Sequence, residues 1–138
     1  FLIRDPKDMI ISYSRVHPNL NMHLLGLEEQ KEIFEYVQNL TGEVPPIIDS
    51  KDVLMNPRRV LSKFCERVGV PFSEEMLSWP GGARDTDGNW GKYWYNNVMN
   101  STCFNEYKPK TEEVPERYEE LYLECYSLYE KLHKLRIR

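Results

Sequence analysis

The chain has 138 residues, enough for one domain, and its 41% apolar and 29% charged content is that of an ordinary folded protein, which argues against disorder. A net charge of −4 gives the molecule as a whole no attraction for nucleic acid or an anionic membrane, so any anion it binds must be held by a local group of cations. Its longest apolar runs, Phe1-Leu2-Ile3 and Met9-Ile10-Ile11, fall far short of the roughly 20 residues a membrane-spanning helix needs.

In chain order, Phe1 to Ile3 reads as a buried strand ending at Arg4-Asp5. Pro6 suits the first position of a helix, where its missing N–H would have no partner, and Asp5 is the natural cap. This helix is expected to run to about Val16, with Met9, Ile10, Tyr13 and Val16 on one face, and to end at His17-Pro18-Asn19. A loop is expected to about Gly26. A second helix, near Leu27 to Leu40, carries Leu27, Ile33, Phe34, Val37 and Leu40 at helical spacing and closes at Thr41-Gly42. Pro45 to Asp49 predicts a short strand.

Ser50 caps a helical turn through Leu54, and Asn56-Pro57 opens a helix that Gly69 stops, with Val60, Leu61, Phe64, Cys65 and Val68 as its core stripe. A turn capped by Ser73 leads to Trp79, a Gly- and Asp-rich surface loop covers Pro80 to Gly88, and Trp90 to Tyr95 is densely aromatic. From about Pro115, Tyr118, Leu121, Tyr122, Cys125, Leu128, Tyr129, Leu132 and Leu135 step by three and four, predicting one long amphipathic helix. Strands separated by helices need crossover connections, so the expected fold is α/β, a parallel sheet flanked by helices.

Three cysteines leave one without a partner in any disulfide scheme, and Cys65 and Cys125 fall on apolar helix faces. A reducing, cytoplasmic compartment is the expectation; the sequons Asn39-Leu40-Thr41 and Asn100-Ser101-Thr102 make the Golgi lumen the alternative. The apolar opening, with no Met, signal peptide or polar lead-in, predicts a fragment or processed chain whose N-terminal part supplies the rest of the sheet.

The chemistry concentrates at the start. An arginine at the carboxyl end of a strand lies where ligands bind in open α/β sheets. A following helix N-terminus adds unpaired N–H groups, and Ser12 can offer a hydroxyl to the same anion. From spacing alone the plainer reading is an Arg4–Asp8 ion pair, with Ser12 a packing residue. His17, His23 and His133 are scattered and no metal site is expected. Trp79, Trp90, Tyr93, Trp94 and Tyr95 read equally as an acceptor pocket or as core cover under a loop.

Arg4-Asp5-Pro6-Lys7-Asp8 with Ser12-Tyr13 resembles the 3′-phosphate-binding motif of P-loop sulfotransferases. Ile47-Ile48-Asp49, then Asp52-Val53-Leu54, Asn56-Pro57, Leu61, Cys65, Gly69, Pro71 and Phe72 are similar to a later step of that family. Ser101-Thr102-Cys103-Phe104 resembles the loop that closes over the nucleotide's phosphate.

The resemblance implies residues 1–138 as the C-terminal part of one sulfotransferase domain, incomplete and ending in a long helix. It implies binding of 3′-phosphoadenosine 5′-phosphosulfate (PAPS) or its product PAP, and sulfuryl transfer to the hydroxyl or amine of a small-molecule acceptor. Arg4, Ser12, Ser101, Thr102 and Lys108 would bind cofactor, and Trp90 and Trp94 the acceptor. The family's phosphosulfate loop and catalytic base precede the Arg4 segment, so the catalytic residue is not assigned and these residues alone are expected to be inactive. The missing N-terminal part is the expected partner. Where many members carry Arg-Lys-Gly or Lys-Gly-Arg, this chain offers Lys108 and Lys110. The alternative is a non-catalytic family member or a binding module. A nucleotide kinase or NTPase should show a magnesium-binding Asp, and no clear one is present.

Overall fold

A computed structural model describes residues 1–84, 88–89 and 96–138. Two strands, β1 (Leu2–Ile3) and β2 (Ile48–Asp49), pair in parallel, with Leu2 opposite Ile48 and Ile3 opposite Asp49. The crossover between them carries α1 (Pro6–Tyr13), α2 (Met22–Leu25) and α3 (Leu27–Thr41), which meets the expectation of an α/β chain with parallel pairing. After β2 come α4 (Ser50–Met55), α5 (Pro57–Val68), a 3₁₀ turn (Glu74–Met76), α6 (Asn96–Met99), a second 3₁₀ turn (Glu116–Tyr118) and α7 (Glu119–Lys134).

Local chemistry explains the boundaries. The Asp5 carboxylate accepts from the Lys7 N–H at 2.8 Å, and Pro6 opens α1. That helix stops at Tyr13, short of Val16. Pro18 disfavours helix at His17, whose N–H closes a turn onto the Tyr13 carbonyl, and Val16 is left exposed. Where a loop was expected before Gly26, Asn21 accepts from the Leu24 N–H at 2.9 Å and starts α2, which buries Leu25. Gly26, at φ +68°, supplies the left-handed corner into α3. The long terminal helix begins as a 3₁₀ turn, with the Tyr118 N–H bonded to the Pro115 carbonyl, before becoming α-helical at Glu119.

Two apolar clusters form the core, and α7 supplies both. Cys125, with Tyr118 from the turn before it, packs on Ile10, Leu20, Leu25 and Leu27; Tyr129 and Leu132 pack on Ile3, Phe34 and Ile47. Each fully buried Ile or Phe contributes about 1.5–3 kcal/mol, so α7 fixes α1 and α3 against the strand pair.

Candidate functional site

Arg4 follows β1 directly and Ser50 follows β2, so the parallel register brings both to one edge. Arg4, Ser12 and Ser50 line a cavity of about 300 Å³ whose apolar wall includes Leu2, Met9 and Tyr13. The arginine and serine of the motif therefore face the same space. Arg4 also lies 3.9 Å from the Asp8 carboxylate, so the plainer ion-pair reading is present as well, as a loose contact. The Arg4 side chain is 48% exposed. At the start of α1, Asp5 already takes the Lys7 N–H, which leaves the helix N-terminus one fewer N–H to offer a ligand.

A second cavity, of about 250 Å³, shares Arg4 and Ser50 with the first. It is lined by Lys51, Lys108 and Lys110 together with Asp8, Ser50 and Tyr107, among others. Lys108 thus joins Arg4 but not Ser12. Lys110 donates to the Asp8 carbonyl at 2.8 Å, tying its loop to α1. Burial holds the Lys110 ammonium below the usual lysine range; Asp8 opposes that shift, and Arg4 and Arg15 reinforce it. The Lys51 ammonium sits 5.3 Å from the centre of the Tyr107 ring.

Beneath this edge, Asp49 is fully buried. One of its oxygens accepts from the Lys51 N–H at 2.7 Å, and the other accepts from the Tyr129 hydroxyl at 2.7 Å. Burial first, then the bond to Asp49, pushes the Tyr129 pKa up, so its hydroxyl stays a donor throughout the ordinary pH range. The pair fixes the turn that presents Ser50 and Lys51.

The other expected residues lie elsewhere. Ser101 borders a third cavity, with Leu54, Trp79 and Phe104, and its hydroxyl accepts from the Trp79 indole at 3.2 Å while donating to the Val98 carbonyl at 2.8 Å. Thr102 is exposed, and its carbonyl accepts from the Trp79 N–H at 2.8 Å. Trp90 and Trp94 lie outside the described residues. His17 is exposed beside Tyr13. Ser50 was expected only as a cap, a role that the Asp49 carboxylate takes instead, and no role was expected for Lys51. The available signal was that residues following a second parallel strand reach the same edge as those following the first.

The family model described as a sulfotransferase domain matches residues 1–133. Two curated relatives, branched-chain-amino-acid aminotransferase-like proteins 2 and 1 of Arabidopsis thaliana, are each 31% identical over 128 residues, 93% of this chain. The chain spans less than a quarter of their length, 22% and 23% respectively. No solved structure matches it significantly. A family match over nearly the whole chain, with the Arg4 segment at its start, shows that the chain belongs to the sulfotransferase domain family.

Proposed function

We propose that the chain is the 3′-phosphate side of a PAPS-dependent sulfotransferase domain whose remaining part supplies the phosphosulfate loop and the catalytic base. The observation that carries this is Arg4 and Ser12 lining one cavity with Ser50, in a chain that matches the family from residue 1 to 133. Arg4 gives a planar donor fork suited to phosphate oxygens, and Ser12 and Ser50 add hydroxyls. The residues present fit the group, with Arg4 and Ser12 as cofactor ligands and Lys108 reaching from the neighbouring cavity. When bound, PAPS supplies the transferable sulfuryl group. This chain's part is to hold and orient its nucleotide end, and positioning is a large share of catalysis in such transfers. The acceptor is a small molecule with a hydroxyl or amine, and the proposed compartment is the cytoplasm, with the Golgi lumen as the alternative.

Calorimetry on the full-length protein tests the assignment. Arg4→Ala and Ser12→Ala should each weaken PAP binding about tenfold or more, Arg4→Ala the more, while adenosine 5′-phosphate, lacking the 3′-phosphate, hardly responds. Equal losses for both ligands would mean that these residues maintain the fold and do not contact the phosphate.

A second reading, a non-catalytic binding module, is favoured by one observation: the curated relatives are more than four times the matched length and carry an aminotransferase-like name. Sulfuryl transfer from labelled PAPS by the full-length protein separates the two. The 138-residue chain alone is expected to show none.

A further inference from the structure

The turn from β2 into α4 is gripped at three points by α7 and the residues after it. The Tyr129 hydroxyl donates to the buried Asp49 carboxylate at 2.7 Å, and Arg136 Nε donates to the Asp52 carboxylate at 2.7 Å. The Ile137 N–H donates at 2.9 Å to the carbonyl of Ile47, just before β2. Asp49 caps α4 and Asp52 lies in its first turn, so Ser50 and Lys51 stand between the two gripped carboxylates.

These contacts are sheltered from water. The Arg136 and Asp52 side chains are 16% and 19% exposed, whereas each of the other ion pairs among the described residues has a side chain about half exposed or more. An exposed pair is screened and holds little, and a sheltered one keeps its geometry. Arg136 is itself fixed, because its Nη1 donates to the His133 carbonyl at 2.8 Å. The His133 ring packs against that of Tyr129, with centres 5.0 Å apart. Tyr129, His133 and Arg136 therefore act on the turn as one unit.

Neither Tyr129 nor Arg136 lines the two cavities that share Arg4, yet Ser50 lines both. A serine oxygen is one rotatable bond from the backbone, so its place follows the turn that carries it. A shift of about 1 Å is enough to spoil a contact that depends on orientation. We propose that Tyr129 and Arg136 are positioning residues for nucleotide binding, holding the Ser50 hydroxyl at the edge it shares with Arg4 through the carboxylates on either side of it. This rests on the PAP-binding reading and extends it to two residues that touch no ligand.

Titration calorimetry of the full-length protein with PAP and with adenosine 5′-phosphate tests the proposal. Ser50→Ala sets the scale, with a loss of about tenfold for PAP and little change for adenosine 5′-phosphate. Arg136→Met combined with Asp52→Leu exchanges the sheltered pair for apolar contact, which folds tolerate, and leaves the net charge unaltered. It should weaken PAP about three- to tenfold and hardly affect adenosine 5′-phosphate. Lys134→Met with Glu130→Leu, the same exchange at an exposed pair of α7, should match the parent protein. In a Ser50→Ala background the Arg136 and Asp52 exchange should add no further loss, since the group it acts through is already gone. Tyr129→Phe, which keeps the ring, should show the same selectivity and the same dependence on Ser50, and it decides the matter alone if the exchanged pair does not fold. PAP affinity unchanged in these variants while Ser50→Ala weakens it overturns the inference and leaves the PAP reading standing. Equal losses for the two ligands, or losses that persist in full after Ser50→Ala, overturn it as well, because the residues then maintain the fold. If Arg4→Ala and Ser50→Ala both leave PAP binding unchanged, the PAP reading itself fails and takes this inference with it.

Discussion

Among single residues, the cysteines divide cleanly by surroundings. Burial pushes the Cys125 thiol up to about 11, whereas Cys103 is exposed. Because the thiolate is the nucleophile, alkylation of the native chain at neutral pH should label Cys103 and spare Cys125, with all three cysteines labelled after unfolding; peptide mass spectrometry reads this directly. The same shift carries a sign for stability. Cys125 releases its proton near 9 when unfolded and near 11 when folded, so its contribution is complete below about pH 9 and is lost as pH rises through the folded value. Tyr129 makes a second residue-scale prediction. Tyr129→Phe leaves one oxygen of the buried Asp49 without its donor, and a hydrogen bond to a charged group contributes about 1.5–3 kcal/mol. Thermal melts should show a loss of that order, whereas Tyr126→Phe, on the exposed side of α7, should be close to neutral.

Helix ends decide much at the element scale. Asn56 accepts from the Arg59 N–H at 3.1 Å and Pro57 opens α5, so Asn56→Ala should cost about 1 kcal/mol in denaturant unfolding. Gly69 closes the same helix at φ +72°, a conformation in which any Cβ is strained, and Gly69→Ala should be destabilising although nothing occupies the space beside it. These punctuation marks were legible in the sequence because a cap is a local event. The C-terminal end of α1 and the whole of α2 were harder to read. A helix of four residues shows no full period, and only Asn21 and Gly26 announce it. Arg4 and Ser12 were singled out through the resemblance of their segment to a family motif, since spacing alone favoured the plainer ion-pair reading; the approach of Lys51 was not legible, because it depends on the register of β1 against β2, and short strands carry almost no pairing signal.

Across the whole molecule, periodicity identified apolar positions without saying which would be covered. Ile33, Tyr36 and Leu40 lie along one side of α3 and are 56%, 66% and 70% exposed, while Phe34 on another side is buried. Leu2 on β1 is exposed as well. Apolar surface of this kind marks a contact or an aggregation hazard. The 138-residue chain should therefore self-associate as its concentration rises, and Ile33→Glu with Leu40→Glu should shift sedimentation profiles toward monomer while leaving the far-ultraviolet circular dichroism unchanged.

The attachment of the chain's last residues to β2 has a consequence in time. Tyr129 bonds Asp49 across 80 positions, Arg136 bonds Asp52 across 84, and the Ile137 N–H donates to the Ile47 carbonyl. At a synthesis rate of about 5–20 residues per second, β2 waits roughly 4–16 s for the helix that seats it. Throughout that interval the nascent polypeptide carries a carboxylate destined for the interior and a strand with no cover. The edge that carries Arg4 and Ser50 becomes whole only after Tyr129, Arg136 and Ile137 have been made.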